Sequence, residues 1–538
     1  MYKTLKDVLD KTGIKQTEQP GRDIEIEIPK DESLGDLSTP VAMGLAKQLK
    51  KSPKKIAQEI ISRIESGSIF EKVEIAGPGF INFTFTKSFL WEELRKLILE
   101  NEGYLYQDIG KGKRVQIEFV SANPTGPLHL GHGRGAAVGS ALSNLLEAAG
   151  YNVEKEYYIN DAGRQVQLLG LSVWAKYNQM IGRDYAYPEH GYRGDYINTL
   201  AEEFHQSGMP ASNITEFCSK KMLDGIKKDL EDFGITFDHW QSEKELFENF
   251  IVQDSINELR KLGYVYDRNG AVWFKSSELG DDKDRVIVKH DGEYTYFASD
   301  IAYHRKKIEK GYDEIIDIWG ADHHGYIPRV QAVMEALGYP RDKLRILIVQ
   351  MVTLLKGGSP VQMSKRTGEF ITLREVMDEI GVDTTKFLFL TRRHDSHLEV
   401  DIETAKKESH ENPVYYVQYA HARINSIFEK FRDNANPAGL ANISDFNGNL
   451  FNQDEIRLIK KVLIYPMIFR NAVLAREPHR ITFYLQELAS MFHTYYQKYR
   501  VISDDTELTK ARLALCDAVR IVLKHGLKIL SVKAPEKM

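Results

Sequence analysis

Two histidines three residues apart, His129 and His132, flank Leu130 and Gly131 in the run SANPTGPLHLGHGRG, directly after an alternating apolar stretch. Imidazoles placed where a helix opens, beside unpaired backbone N–H groups and the positive end of the macrodipole, suit a phosphate whose charge changes during a reaction. Gly131 has no Cβ, so a flat base could approach the backbone there. Far downstream, KGGSPVQMSKRTGEF places Met363, Ser364, Lys365 and Arg366 beyond the tight turn expected at Gly357 and Gly358, and Lys365 supplies a cation for a triphosphate. A third set is acidic: Glu118 near the end of the first strand, with Tyr296 and Asp300 four apart in EYTYFASDIAYH, hence on one face if Ser299 opens a helix. Two carboxylates converging with a phenol suit a guanidinium, which is planar, permanently charged and demands paired acceptors. Taken singly, Asp300 reads as a first-turn acid and Tyr296 as a core aromatic on a strand; their joint occurrence favours the pocket. Asp322, His323 and His324 in WGADHHGYIPR are expected to form a polar wall of the nucleotide pocket rather than a metal site. Adjacent histidines in a strand point to opposite faces, and no fourth ligand has suitable spacing.

These groups need a scaffold. Val115, Ile117 and Phe119 alternate with Gln116 and Glu118 as a strand would, and Gly135, Val138, Leu142, Leu145, Leu146 and Ala149 follow at helical spacing before the stop at Gly150. Alternating strand and helix patterns from about 106 to 375 predict a doubly wound parallel α/β sheet, with a polar helical insertion near 165–275 between its halves. The first hundred residues read as a small α+β unit. Thr39-Pro40 and Ser52-Pro53 start helices there, and Val73, Ile75, Ile81, Phe83 and Phe85 alternate as a hairpin across GPG. Beyond about 380 strand patterns stop and amphipathic helices are expected, among them 415–431, 454–474 and 508–530. Tyr415, Tyr416 and Tyr419 in that region read as core aromatics or as platforms for unstacked RNA bases, core packing being the better account for two of the three.

Composition bounds the answer. With 538 residues, 42% hydrophobic and 28% charged, the chain suits a soluble protein of several domains. Its two cysteines, Cys218 and Cys516, lie far apart, which argues against a disulfide framework or a cysteine zinc site. The charged N-terminus MYKTLKDVLDK is not expected to be a signal peptide. The longest apolar stretch, near 344–355, is interrupted by Arg345 and Gln350 and falls short of the roughly 18 residues of a membrane span. Net charge is −5, yet residues 406–538 hold 20 Lys/Arg against 14 Asp/Glu. Local positive potential of this kind is compatible with RNA, and on charge alone equally with a solvated helical bundle carrying scattered lysines.

The HLGH run resembles the HIGH signature of class I aminoacyl-tRNA synthetases, and SANPTGPLHLGHGRGAAVG is similar to its arginyl-tRNA synthetase form. MSKR resembles the KMSKS loop, with Gln362 in place of the first lysine, which leaves the triphosphate mainly to Lys365. GDLSTPVAMGLAKQLKKSPKKIA and GPGFINFTF resemble the N-terminal domain of the same family. The resemblance covers essentially the whole chain. It implies a class I Rossmann-like doubly wound parallel sheet at 106–380, an N-terminal domain at 1–105 that contacts the tRNA corner, and an all-α anticodon-binding bundle at 381–538. It further implies ligation of arginine to tRNA(Arg) through an adenylate, with tRNA generally needed for the activation step. His129, His132 and Lys365 are the implied catalytic residues. His129, Gly131, His132, Met363, Ser364 and Lys365 would bind ATP; Glu118, Ser121, Asn123, His132, Tyr296 and Asp300 would bind arginine; Tyr419 and Met538 would bind tRNA. ATP is expected with Mg2+, without a structural metal, in a cytoplasmic monomer that meets no membrane. A small-molecule nucleotidyl transferase and a non-catalytic RNA-binding relative remain as alternatives.

Overall fold

The N-terminal unit pairs β1 (Leu37–Thr39), β2 (Phe70–Ala76) and β3 (Phe80–Phe85) in the antiparallel order β1-β3-β2. Its two proline-started helices, Val41–Leu49 and Pro53–Ile61, cover the sheet through Leu45, Ile56 and Ile60. The computed structural model describes residues 1–13, 24–64, 67–361, 371–434 and 443–538.

The central sheet has five strands: β4 (Arg114–Glu118), β5 (Asn152–Ile159), β6 (His239–Ser242), and, after an antiparallel sheet of β7 (Val265–Arg268), β8 (Ala271–Phe274) and β9 (Arg285–Val288), β10 (Glu314–Gly320) and β11 (Leu344–Val349). All neighbours are parallel, in the order β11-β10-β4-β5-β6. The chain returns to the opposite side of β4 for its second half, so the crevice beyond the carboxyl ends of β4 and β10 is the topological switch point, where open α/β sheets bind ligands.

Helices cover both faces, which buries β4 from Val115 on: Gln116 and Glu118, alternating with apolar residues as a solvent face would, are themselves buried. Two other expectations change. The stretch 165–275 is not wholly an insertion, because β6 inside it is an edge strand of the main sheet; HWQS is too short and too polar to give a periodic signal. Nor do strands stop at 380: β12 (Val352–Lys356) pairs antiparallel with β13 (Ser359–Pro360) across Gly357 and Gly358, both at positive φ as a two-residue hairpin turn requires, and parallel with β14 (Leu398–Asp401).

The C-terminal region packs Pro413–Asn434, Gln453–Leu463, Tyr465–Ala475, His479–Lys498 and Thr506–Ile529 as a helical bundle. The single helix expected over 454–474 breaks at Ile464, where Pro466 in the first turn of the next helix cannot continue the hydrogen-bond ladder. No helix among the described residues is long and apolar enough to cross a membrane.

Candidate active site

Beyond β4 the chain turns sharply. Val120 sits at φ +70 and Ser121 at φ +39, and the Ser121 N–H bonds to the Phe119 carbonyl at 3.0 Å, a γ-turn in a region that a β-branched residue rarely adopts. The strain holds the Ser121 hydroxyl under the sheet end, where it donates to Glu118 Oε1 (2.7 Å) and accepts from the Tyr158 N–H (3.1 Å). Asn123 follows on the cleft wall, donating to Gln165 Oε1 at 2.5 Å.

The helix Leu130–Glu147 then opens on its own histidines. His129 is the N-cap, and its Nδ1 accepts from the N–H groups of Gly131 (3.1 Å) and His132 (3.4 Å); His132 Nδ1 accepts in return from the His129 N–H (3.3 Å). This is a capping box built from imidazoles. The two rings stack with centroids 3.6 Å apart. Because each Nδ1 is an acceptor, the proton of each neutral ring sits on Nε2. Burial lowers the pKa of both, His132 to about 3, so both rings stay neutral at physiological pH. The helix start is therefore not an open nest of N–H groups: those of Gly131 and His132 are taken by His129 Nδ1, and each neutral ring carries its proton on Nε2. Gly131 lines the cleft, and its lack of a Cβ also makes room for the His129 ring, since a Cβ there would lie 3.0 Å from it.

These residues line a cleft of about 1410 Å3 with Ser121 and Asn123. Asp322 and His323 line it as well, but from a short 3-10 helix, Ala321–Tyr326, not a strand; His324 belongs to the same turn. Among the described residues no group of three or more His, Cys, Asp or Glu could hold a metal ion. The cleft's far wall is His190 to Tyr196, read in sequence only as part of a helical insertion; Tyr196 Oη ties it to the Thr125 carbonyl at 3.1 Å.

Glu118, Tyr296 and Asp300 are not among the residues that line this cleft; Glu118 lies one hydrogen bond behind Ser121. Tyr296 is the first residue of the helix Tyr296–Glu309, capped by Thr295, so Ser299 does not open it, nor is Tyr296 a strand aromatic; it is 57% exposed. Ser299 instead donates to the buried Glu243 Oε1 at 2.6 Å, whose carboxyl burial pushes up to about 7. Asp300, four residues after Tyr296, accepts from the Tyr326 hydroxyl, and burial raises its pKa.

Along the same helix face, Lys307 Nζ reaches Glu118 Oε2 (2.5 Å) and Asp317 Oδ1 (2.7 Å), while His304 spans Asp317 Oδ2 (3.0 Å) and the Asp300 carbonyl (2.8 Å). Sequence reasoning missed Lys307, His304 and Asp317. The signal was the spacing of residues 300, 304 and 307, one stripe of a helix that starts with the residues already singled out.

Met363, Ser364, Lys365 and Arg366 lie outside the described residues, as does Gln362. In the bundle, Tyr415, Tyr416 and Tyr419 are all half-buried. Tyr419 stacks on Tyr415 (5.8 Å, 10°) and on His493 (5.7 Å, 20°), with the Arg423 guanidinium 4.7 Å over its ring. Tyr416 packs against the core. Met538 is 54% exposed at the end of a tail held on Pro413–Asn434 by Gln418 donating to the Lys533 carbonyl (2.9 Å) and by His421 at the Pro535 carbonyl (2.8 Å).

Comparison with known proteins places each part. Residues 1–85 match the arginyl tRNA synthetase N terminal domain, 93–429 the class I (R) tRNA synthetase catalytic domain, and 417–538 the DALR anticodon binding domain. The arginine–tRNA ligase of Citrifermentans bemidjiense is 48% identical over 96% of this chain and 95% of its own length, and that of Aquifex aeolicus 44% identical over 96% of each. A solved structure described as a putative arginyl tRNA synthetase from Campylobacter jejuni aligns with TM-score 0.78 at 38% identity, covering 84% of this chain and all of the other. Thermus thermophilus arginyl-tRNA synthetase shares the fold over the full length of both chains with TM-score 0.80 at 21% identity.

Proposed function

The chain belongs to the arginyl-tRNA synthetases, and we propose from its geometry which residues attach arginine to the 3′-terminal ribose of tRNA. The ligation consumes ATP, passes through arginyl-adenylate, and releases pyrophosphate and then AMP. The observation that carries the assignment of residues is that one strand, β4, leads into both halves of the site: Glu118 at its end and, after the strained turn, the paired imidazoles of His129 and His132.

In this reading the arginine guanidinium docks against Asp300 and Tyr296 with Glu118 behind. Ser121, Asn123 and His132 steer its amino and carboxylate ends. The carboxylate attacks the α-phosphate of ATP, and the Nε2–H groups of His129 and His132 together with Lys365 neutralise charge that grows on the phosphate oxygens as pyrophosphate leaves. Gly131, Met363 and Ser364 complete the ATP contacts. No protein nucleophile is used; catalysis is placement and charge stabilisation. In the second step the terminal ribose hydroxyl attacks the adenylate carbonyl and AMP leaves. Mg2+ belongs to the reading as part of the ATP substrate, held on the phosphate oxygens. The stacked surface of Tyr419 and the exposed end at Met538 are proposed tRNA contacts of the 381–538 bundle, and residues 1–105 a contact to the tRNA corner. A monomer working in the cytoplasm completes the proposal.

The test is charging of unfractionated tRNA with each of the twenty amino acids, followed by Asp300→Asn and His132→Ala. Arginine should be the one amino acid accepted, Asp300→Asn should raise the KM for arginine, and His132→Ala should lower kcat. Normal kinetics in both variants would remove these residues from the site.

A further inference from the structure

The parallel register sets three carboxylates side by side. Asp317 on β10 pairs with Glu118 on β4, and Glu118 with Glu156 on β5, so all three leave the same face of the sheet, and all are buried. Like charges directly opposite each other on neighbouring strands repel, and burial strengthens the repulsion. Left to themselves such carboxyls take up protons. A protonated Glu118 would have no negative charge to offer a guanidinium.

The cation that opposes this is Lys307: burial and Asp317 push the Glu118 carboxyl above its ordinary range, and Lys307 pulls it back down. Its side chain is 1% exposed, bridges Glu118 (2.5 Å) and Asp317 (2.7 Å), and lies 4.2 Å from the centroid of the Tyr303 ring. Tyr303 Oη donates to Glu156 Oε1 at 2.7 Å, and Lys310 Nζ sits 3.0 Å from Glu156 Oε2, so the third carboxylate has its own partners. Lys307 therefore serves the Glu118–Asp317 pair. It reaches them from the helix that also carries Tyr296 and Asp300, and His304 ties Asp317 to the Asp300 backbone. A lysine is an unexpected guest beside a site for a cation. Its contacts show how the two coexist: it takes Glu118 by Oε2, while Oε1, on the side of the strained turn, accepts from the Ser121 hydroxyl.

We propose that Lys307 is a positioning and specificity-determining residue for arginine: by bridging Glu118 and Asp317 it keeps Glu118 anionic and fixed in orientation behind the guanidinium. This rests on the reading of Glu118 and Asp300 as arginine-side acceptors. The residue touches neither ATP nor the reacting carboxylate, so its effect is confined to arginine recognition.

The experiment measures steady-state KM values for arginine and ATP with the full chain and tRNA, in Lys307→Met, Glu118→Gln, the double variant, and Asp300→Asn, with circular dichroism confirming the fold. Lys307→Met should raise the arginine KM at least about tenfold and leave the ATP KM within about twofold. If Lys307 acts through Glu118, the double variant is no worse than Glu118→Gln alone, whereas a merely structural role would multiply the two penalties. An unchanged arginine KM in folded Lys307→Met, an equal rise in both KM values, or multiplied penalties overturns the proposal. Should Lys307→Met not fold, Asp317→Asn keeps the lysine but loosens its anchor; a several-fold rise in the arginine KM alone supports the proposal, and no rise overturns it. Asp300→Asn separates the two readings. If it raises the arginine KM while Lys307→Met does not, the pocket stands and Lys307 has no part in it; if Asp300→Asn has no effect, the pocket falls and this proposal with it.

Discussion

The two halves of the proposed site, the arginine side and the ATP side, are built on opposite electrostatic principles. On the arginine side, Asp317, Glu118 and Asp300 are buried or half-buried carboxylates locked by Lys307, His304 and Tyr326. On the ATP side, the described groups are neutral imidazoles whose orientation is fixed by backbone N–H groups. The difference follows from the ligands. A guanidinium carries the same charge before and after reaction, so acceptors can be arranged for it in advance. The charge on a phosphate moves during the reaction, and donors whose own charge does not change can follow it without a second titration. The cation assigned to the ATP side, Lys365, lies outside the described residues and far along the chain from β4.

That contrast breaks most visibly at Lys365. Lys365→Ala should lower kcat and kcat/KM together by orders of magnitude, because the lost group acts in the transition state. Filter binding should show tRNA affinity nearly unchanged. A variant with near-normal kcat would mean that the neutral imidazoles suffice. On the arginine side Asp300→Asn keeps the shape but removes the charge, which should weaken arginine binding by about 2 to 5 kcal/mol. Arginine titration should show a large KM rise with little change for ATP. The wild-type site should also reject citrulline, an uncharged near-isostere, in competition assays.

A somewhat smaller loss is expected at His132. Removing one preorganised donor costs about 3 kcal/mol in barrier height, so His132→Ala should slow the reaction by roughly a hundredfold or more. His132→Gln retains a neutral N–H donor and should recover part of that loss. If only charge mattered, glutamine would rescue nothing and a low-pH optimum would appear; rapid-quench measurement of adenylate formation distinguishes the two.

Much of this was legible in the chain because it is local. The alternation of Val115, Ile117 and Phe119, the turn residues around Gly357 and Gly358, and the prolines at 40 and 53 act within a few residues of themselves, and each feature appears in the fold. Tyr296 and Asp300 fall on one helical face, as their spacing requires, although the cap is Thr295. What was hidden depends on partners distant in sequence. Glu118 and Asp317 become neighbours only through the register of β4 and β10, so neither the acid row nor the need for Lys307 can be seen along the chain. Edge strands of four residues, β6 and β14, bury too few side chains to imprint a period. The close fit of Gly131 under the His129 ring depends on how that ring folds back as a cap, which residue type alone does not give.

The smallest effect concerns the neutrality of the imidazoles themselves. Burial holds the His132 pKa at about 3 in the folded protein, against an ordinary value of 6.5. The folded-state value is lowered, so the stability linked to this group is fully present above pH 6.5 and is lost as pH falls, because the unfolded chain takes up the proton first. Between pH 7.5 and 5.5 the loss attributable to one such histidine is about 1.4 kcal/mol. Other histidines, the half-buried His479 and the buried His525 among them, shift in the same direction, so the wild-type melting curve alone does not isolate His132. The difference between wild type and His132→Gln narrows it to His132 and the His129 ring stacked on it, since the other groups are common to both. Urea titrations of the two proteins at both pH values should show the wild type losing about 1.4 kcal/mol more than the variant on acidification. A wild-type protein that gains stability relative to the variant as pH falls would show a charged His132 in the folded state, and the ATP half of the site would then rest on cations like the loop it faces in the proposed reaction.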